Sequence, residues 1–128
     1  MWILVDERTK RVLFGLWCLI WIGVLVGSLQ PVQELPLGMS DKLVHFLCYA
    51  AMTAAIVGFC HDARGLLGWA AFVVVMGGLV EIGQHFVPTR SMDLDDFLAD
   101  AAGAAVGTLL ALLWLVAVVR PLRRAAAA

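Results

Sequence analysis

Four long apolar segments, separated by short breaks that hold most of the charged residues, divide the sequence. A helix needs about 20 mainly apolar residues to cross the hydrocarbon core of a bilayer, and each segment has close to that length. We place the four spans at about residues 12–29, 43–60, 65–87 and 97–119. In a chain of 128 residues they leave no room for a separate soluble domain. We therefore predict a single domain, residues 1–128, that folds as an all-α, four-helix transmembrane bundle.

The composition agrees with a membrane protein and excludes several other classes. Apolar residues make up 62% of the chain and charged residues 15%, whereas soluble domains are about 45–50% apolar and about 25% charged. The formal net charge of −1 gives no basic excess of the kind that binds nucleic acid, so we expect no nucleic-acid partner. The three cysteines are odd in number and form no Cys-x-x-Cys pair, which argues against a disulfide framework or a zinc knuckle.

Lysine and arginine are distributed unequally between the two predicted faces of the membrane. One face holds seven of the nine, in the N-terminal segment, the break between the second and third spans, and the C-terminal tail. These seven are Arg8, Lys10, Arg11, Arg64, Arg120, Arg123 and Arg124. Short loops rich in these residues stay cytoplasmic. We therefore predict a multi-pass protein of the bacterial inner membrane, with antiparallel neighbours, both termini cytoplasmic, and residues 30–42 and 88–96 facing outward.

Polar side chains gather at one end of the second, third and fourth spans. In the second span Asp41 and His45 are four residues apart, and this spacing puts them on one helical face. Because the three spans alternate in direction, their polar ends meet at the outer side of the membrane. Ionisable groups inside a span are costly, so they indicate a functional site by default. The predicted site, which we name the polar cluster, comprises Asp41, Lys42, His45, Tyr49, Glu81, Gln84, Arg90, Asp96 and Asp100.

Three blocks of the sequence hold the polar cluster. They read S-D-K-x-x-H-F-x-x-Y over residues 40–49, E-x-x-Q-x-F-x-P-x-R-S over 81–91, and D-x-x-x-D-x-x-G-x-x-x-G over 96–107. Together they resemble the VanZ-like family of small integral membrane proteins. The resemblance implies a single VanZ-like domain, a place in the cell envelope and a contribution to resistance against the glycopeptide teicoplanin; it brings no established biochemical activity. The family usually has Asn where this chain has Asp100, and this difference adds a potential charge to the cluster.

Two interpretations of the polar cluster stay open. In one, its side chains hydrogen-bond across helices and set the register of the bundle, although such bonds average only about 0.6 kcal/mol in membranes. In the other, the cluster binds a ligand, with the Arg90 guanidinium engaging a phosphate or carboxylate unless it pairs with Asp93, Asp95 or Asp96. No HExxH or similarly compact ligand spacing occurs, so we predict neither a metal nor another cofactor. Ser91 is placed to cap the fourth helix.

The sequence favours a noncatalytic protein that binds or handles a membrane lipid or a lipid-linked envelope molecule in the outer leaflet. The alternative is an intramembrane enzyme acting on a lipid phosphate or acyl group, with Glu81 or Asp100 as acid or base, His45 as proton shuttle and Arg90 as anion clamp. A small proton-coupled transporter is a second alternative. It ranks last because the first span holds no charged residue and the acidic groups avoid the membrane midplane, where transporters place their sites. Association into a homo-oligomer also stays open.

Overall fold

The structure, a computed structural model, describes residues 6–31, 40–88 and 90–126, and all regular elements within these ranges are helical. The helices are α1 Glu7–Ser28, α2 Asp41–Ala54 with a 3₁₀ turn over Ala55–Gly58, α3 Ala63–Gln84, α4 Leu94–Trp114 with a π turn over Leu115–Val119, and α5 Arg120–Ala126. In the described part of the chain, four helical stretches are long and apolar enough to cross a membrane. The all-α prediction with four candidate spans is confirmed.

Short polar side chains set the start of each of the four long helices. Asp6, Ser40, Asp62 and Asp93 each precede a helix, and each accepts a hydrogen bond from a backbone N–H of its first turn. Such caps satisfy donors that have no partner inside the helix. The prediction that Ser91 caps the fourth helix is wrong, because α4 begins only at Leu94 and a cap must directly precede the first helical residue.

The ends of two helices differ from the predicted spans. The third helix stops at Gln84, and the N–H of Val87 donates to the Gln84 carbonyl in a tight turn that leads the chain away. The fourth continues through Pro121. Proline lacks an N–H and its ring crowds the carbonyl four residues earlier. Here the preceding turn is widened, so that the N–H of Arg120 donates to Leu115, five residues back.

The closest helix pair is formed by α2 and α4, which are not consecutive in the chain. Along their interface His45 meets Asp100, Phe46 meets Gly103 and Ala50 meets Gly107. Residue numbers rise together on both helices, so this pair runs parallel. A Cβ on Gly103 or Gly107 would overlap the backbone carbonyl of α2 opposite it, and only glycine allows this approach. This direction agrees with the predicted alternation of successive spans, because one span separates the second from the fourth.

An aromatic face attaches α1 to the rest of the bundle. Trp17 is 4% exposed, and its Nε1–H donates to the Met52 carbonyl at 2.8 Å. The rings of Phe14, Phe59 and Trp69 surround it with centroids 5.4 to 6.2 Å away. One turn further along α1, Trp21 packs edge-on against Tyr49 at 5.9 Å. These contacts run in opposite chain directions, so α1 and α2 are antiparallel.

We expect Trp17→Phe to lower the free energy of unfolding by about 0.6 kcal/mol or somewhat more, the average for one hydrogen bond between membrane helices. The phenyl ring keeps most of the aromatic contacts but cannot donate to Met52. Trp114→Phe is the control, because Trp114 is 47% exposed on the outside of the bundle. Unfolding in mixed micelles, followed by circular dichroism, measures both changes. Equal losses for the two variants would contradict the assignment.

Large apolar side chains cover the outside of the bundle. Leu19, Val75, Leu98 and Leu109 are each more than half exposed, and many similar residues surround them. Soluble monomers rarely expose contiguous apolar patches larger than a few hundred Å². This surface therefore suits a lipid environment, and the chain has the build of a multi-pass membrane protein. The cytoplasmic location of both termini stays a prediction.

Candidate functional site

A buried pair formed by His45 and Asp100 lies at the centre of the polar cluster. His45 is in the second turn of α2 and Asp100 in the second turn of α4, and the parallel packing of these helices brings them side by side. His45 Nδ1 is 2.9 Å from Asp100 Oδ1. Asp100 is 0% exposed and His45 is 9% exposed. A carboxylate that accepts from Nδ1–H fixes the orientation of the imidazole, and Nε2 is then 4.0 Å from Asp41 Oδ1.

Glu81 reaches the same place from α3. Its side chain is buried, and Oε2 accepts a hydrogen bond of 3.2 Å from the backbone N–H of Asp93, at the start of α4. Each of His45, Glu81 and Asp100 has one nitrogen or oxygen atom that lies within 4.8 Å of the corresponding atoms of the other two. We name these three residues the inner cluster. It joins α2, α3 and α4, as the convergence of their polar ends predicts.

Several polar atoms around the inner cluster lack a hydrogen-bond partner among the described residues. They are Glu81 Oε1, Asp100 Oδ2, Tyr49 Oη and Trp21 Nε1, and all four are buried. Gly77 of α3 lies against two of these side chains, since a Cβ there would be 3.0 Å from Tyr49 Cε1 and 3.2 Å from Asp100 Oδ2. Buried polar atoms are nearly always bonded in folded proteins. The site therefore has unused capacity to bind a polar or charged group.

Lys42 lies at the rim of the polar cluster and pairs with three acidic residues of α4 and its cap. Its Nζ is 3.4 Å from Asp93 Oδ2, 3.3 Å from Asp95 Oδ2 and 3.6 Å from Asp96 Oδ1. The sequence predicted these three acids as alternative partners of Arg90. In the structure they form ion pairs with Lys42 instead. The backbone N–H of Asp95 and the Lys42 ammonium hold the pKa of the Asp93 carboxyl below its ordinary value.

This lowered pKa predicts a pH-dependent contribution of Asp93 to stability. A group with a depressed pKa in the folded state stabilises the fold above its ordinary pKa of 3.8 and loses that effect as the pH falls through the folded value. We expect Asp93→Asn, which keeps a capping oxygen but not the charge, to melt below the wild type at neutral pH. The gap should close on acidification below 3.8. Thermal unfolding across this range measures it, and a gap that persists at low pH would contradict the prediction.

Gln84 and Arg90 hold the end of α1 rather than joining the inner cluster. Gln84 Nε2 donates to the Ser28 carbonyl at 3.0 Å, and Arg90 Nε donates to the Gln30 carbonyl at 2.7 Å. Ser28 is the last residue of α1, where the carbonyl has no partner inside the helix, and Gln30 lies two residues beyond it, so the two contacts fix the end of α1 and the chain that leaves it. Arg90 forms no ion pair with any residue in the described ranges, and the rest of its guanidinium stays available.

A groove of about 230 Å³ runs between α1 and α2 and ends at the polar cluster. Its walls are Gly23, Val24, Gly27 and Ser28 of α1, Asp41, Val44, His45, Cys48 and Tyr49 of α2, and Arg90. A Cβ on Gly23 or Gly27 would meet nothing within 4 Å, so the groove is open along α1. The sequence predicts no site residue in this helix. The four-residue spacing of the two glycines is a signal in the sequence, but it is common in any span rich in small residues.

The sequence predicted nine cluster residues, and the structure divides them into groups. His45, Glu81 and Asp100 form the inner cluster, and Tyr49 packs against it. Asp41 and Arg90 line the groove, Lys42 and Asp96 form the rim, and Gln84 binds the end of α1.

Comparison with known proteins shows the family of the chain. A family model described as VanZ/LLP1 matches residues 7–115, which include α1 to α4, the inner cluster and the groove. Searches of curated proteins and of solved structures found no match. The match covers most of the chain and includes the three blocks noted in the sequence. The chain therefore belongs to the VanZ/LLP1 family.

Proposed function

We propose that this membrane protein binds an amphiphilic molecule of the cell envelope, either a membrane lipid or a lipid-linked intermediate, in the outer leaflet. The observation that supports it most is the groove between α1 and α2, which is apolar along its length and polar at one end. Such a groove matches a molecule with a hydrocarbon chain and a charged headgroup. The excess of basic residues at the opposite face supports the outward orientation of the polar end.

The apolar part of the groove suits a chain rather than a bulky ring. Gly23 and Gly27 leave open space beside α1, and Val24 and Val44 supply apolar walls. Trp17 and Trp21 of α1 are buried in the core and Val24 packs against it, whereas the two glycines have nothing within 4 Å of their Cβ positions. A hydrocarbon chain can therefore lie along the glycines and remain in contact with the surrounding lipid.

Arg90 supplies the recognition of a phosphate. Its Nε is bound to Gln30, and no acid of the described residues pairs with it. A guanidinium that is anchored at one nitrogen and free at the others is suited to bind a phosphate with two parallel hydrogen bonds. Asp41 and His45 line the same end of the groove and can accept hydrogen bonds from hydroxyl or amino groups of the headgroup.

The proposal is tested by photolabelling the full chain in nanodiscs with a photoactivatable polyisoprenyl diphosphate. We expect saturable labelling of the wild type and a loss of about tenfold or more in Gly27→Leu, since the leucine side chain fills the groove and excludes the hydrocarbon chain. Gly15→Leu is a matched control. It is also a glycine of α1 with nothing within 4 Å of its Cβ position, and it does not line the groove. Equal labelling of the wild type and Gly27→Leu would refute the proposal.

A second arm tests the headgroup. We expect Arg90→Gln to reduce labelling by the diphosphate probe and to leave labelling by a polyisoprenyl alcohol of the same chain length unchanged. Arg64→Gln is the control, because Arg64 lies in the first turn of α3, at the other end of the bundle from Arg90. An equal effect of Arg90→Gln on both probes would remove phosphate recognition from the proposal.

Lipid binding provides a route to the resistance that the family resemblance implies. A protein that sequesters or shields a lipid-linked envelope intermediate changes how much of it a glycopeptide can reach outside the cell. Expression of the wild-type chain in a teicoplanin-susceptible host should then raise the inhibitory concentration of teicoplanin, while Gly27→Leu at equal membrane levels should not. The same inhibitory concentration with either chain would exclude this consequence of binding.

The pair of His45 and Asp100 favours a second candidate, an intramembrane enzyme that acts on a lipid phosphate or acyl group. A carboxylate that accepts from Nδ1–H leaves Nε2 free to take up or release a proton, and His45 lines the groove. Incubation of the purified chain with the diphosphate probe, followed by assay of released phosphate, tests this role. Turnover that His45→Gln abolishes would support an enzyme, and the absence of turnover would leave the binding function alone.

A further inference from the structure

We propose that the inner cluster of His45, Glu81 and Asp100 binds a divalent transition-metal ion, with Zn²⁺ as the ion for testing it. The proposal goes beyond lipid binding and does not depend on it. It also departs from the expectation drawn from the sequence, in which no metal-binding pattern is visible. The three residues are far apart in the chain, and the packing of α2, α3 and α4 brings them together.

The ligand set fits such an ion in type and spacing. One imidazole nitrogen and two carboxylate oxygens are all ligand types that zinc binds in proteins. The atoms lie within 4.8 Å of one another. In a tetrahedral zinc site two ligand atoms are about 3.4 Å apart, because each bond is about 2.0–2.2 Å long. An approach of the side chains by up to about 1.5 Å therefore completes the site and leaves a fourth position for water or a ligand.

Unpartnered oxygens independently point to a ligand at this place. Glu81 is 2% exposed and Asp100 0% exposed. Glu81 Oε1 has no hydrogen-bond partner among the described residues, and Asp100 Oδ2 has only the neighbouring Tyr49 hydroxyl, without good hydrogen-bond geometry, although each carboxylate uses its other oxygen. Lone pairs buried in this way are costly. A cation between the two carboxylates would use both of them.

The balance of charge also favours a cation. Two carboxylates face one imidazole, which can supply a single positive charge at most. The other basic side chains nearby are engaged elsewhere, Lys42 with the acids at the rim and Arg90 with the Gln30 carbonyl. Within the described residues, no lysine or arginine pairs with Glu81 or Asp100. A divalent ion would compensate charge that is otherwise expensive to bury.

A second group of possible ligands shares His45 but suits an ion less well. It consists of Asp41, His45 and Asp96. Asp41 is exposed, and Asp96 lies 3.6 Å from the Lys42 ammonium, which competes with a cation. The inner cluster has no such competitor among the described residues. Variants of the two groups therefore distinguish the two positions.

Metal content and titration of the full chain in detergent micelles test the proposal. We expect chelator-treated protein to take up one Zn²⁺ per chain in isothermal titration. Glu81→Gln and Asp100→Asn should each raise the dissociation constant about tenfold or more, as changes at or next to metal ligands do. Asp96→Asn should change it little, and Asp95→Asn, which alters an acid at the rim outside both groups, is the matched control. Co²⁺ in place of Zn²⁺ should give visible absorption bands that the Glu81→Gln variant lacks.

Three results would overturn the proposal. Wild-type protein that binds no Zn²⁺ saturably would show that protons or hydrogen bonds alone satisfy the inner cluster, and this result needs no variant to fold. Binding that Asp96→Asn weakens and Glu81→Gln does not would place the ion in the second group, at Asp41, His45 and Asp96, instead. Equal weakening by Asp95→Asn would indicate nonspecific attraction of the ion to the acidic rim.

Discussion

Replacing Gly107 with valine is expected to separate α2 from α4 and to lower the free energy of unfolding by more than about 3 kcal/mol, the upper part of the usual range for overpacking. A Cβ at this position would overlap the Ala50 carbonyl oxygen and lie 3.0 Å from the Ala54 nitrogen. These atoms belong to the backbone of α2, so no side-chain rotation relieves the clash. The whole helix has to move.

The matched control is Gly68→Val on α3. It introduces the same side chain, with the same cost in helix propensity, at a glycine that has nothing within 4 Å of its Cβ position. Unfolding in mixed micelles compares the two variants. Because Gly107 lies on the interface that joins His45 to Asp100, Gly107→Val should also impair Zn²⁺ uptake and photolabelling. Equal stability of the two variants would show that α2 and α4 do not pack as described.

His45→Leu is expected to cost about 3–5 kcal/mol, the usual effect of removing one partner of a buried ion pair. The substitution leaves Asp100, which is 0% exposed, with no partner for Oδ1. Its carboxylate must then stay charged in a buried site without a compensating group, or it must take up a proton. The double variant His45→Leu and Asp100→Leu should recover much of the loss, because replacing both partners by apolar groups of similar size is often nearly neutral.

Asp100→Asn tests the same pair from the other side. Asn still offers an oxygen to the His45 Nδ1–H and carries no charge that must be buried. We therefore expect a well-folded variant with a much smaller loss of stability than His45→Leu, although it should bind Zn²⁺ poorly. All four proteins are compared in the presence of a chelator, so that metal binding does not contribute. A His45→Leu variant no less stable than the double variant would contradict a buried pair.

Segment-level features of the sequence predict much of this fold. The apolar runs give four helices, and the alternation of their directions predicts that the polar ends of α2, α3 and α4 meet. The inner cluster of His45, Glu81 and Asp100 follows from that convergence. The helical spacing of Asp41 and His45 likewise puts both at one end of α2, where both line the groove.

The partners of individual side chains were less accessible to sequence reasoning. Lys42 pairs with the acids expected for Arg90, and Gln84 binds the end of α1 instead of joining the inner cluster. Several acceptors lie within reach of a long polar side chain at the end of a bundle. Which one it meets depends on the rotation of each helix about its axis, and hydropathy hardly constrains that rotation.

By itself, the sequence determined the class of protein, because span length, apolar composition and family pattern are properties of continuous segments. It also determined which residues are too polar to face lipid. Only the tertiary structure decided that α2 packs most closely against α4, since that choice depends on Gly103 and Gly107 meeting the carbonyls of Phe46 and Ala50. This contact between segments distant in the chain brings His45 to Asp100, and the separation of α1 from α2 beside it opens the groove that ends at the same pair.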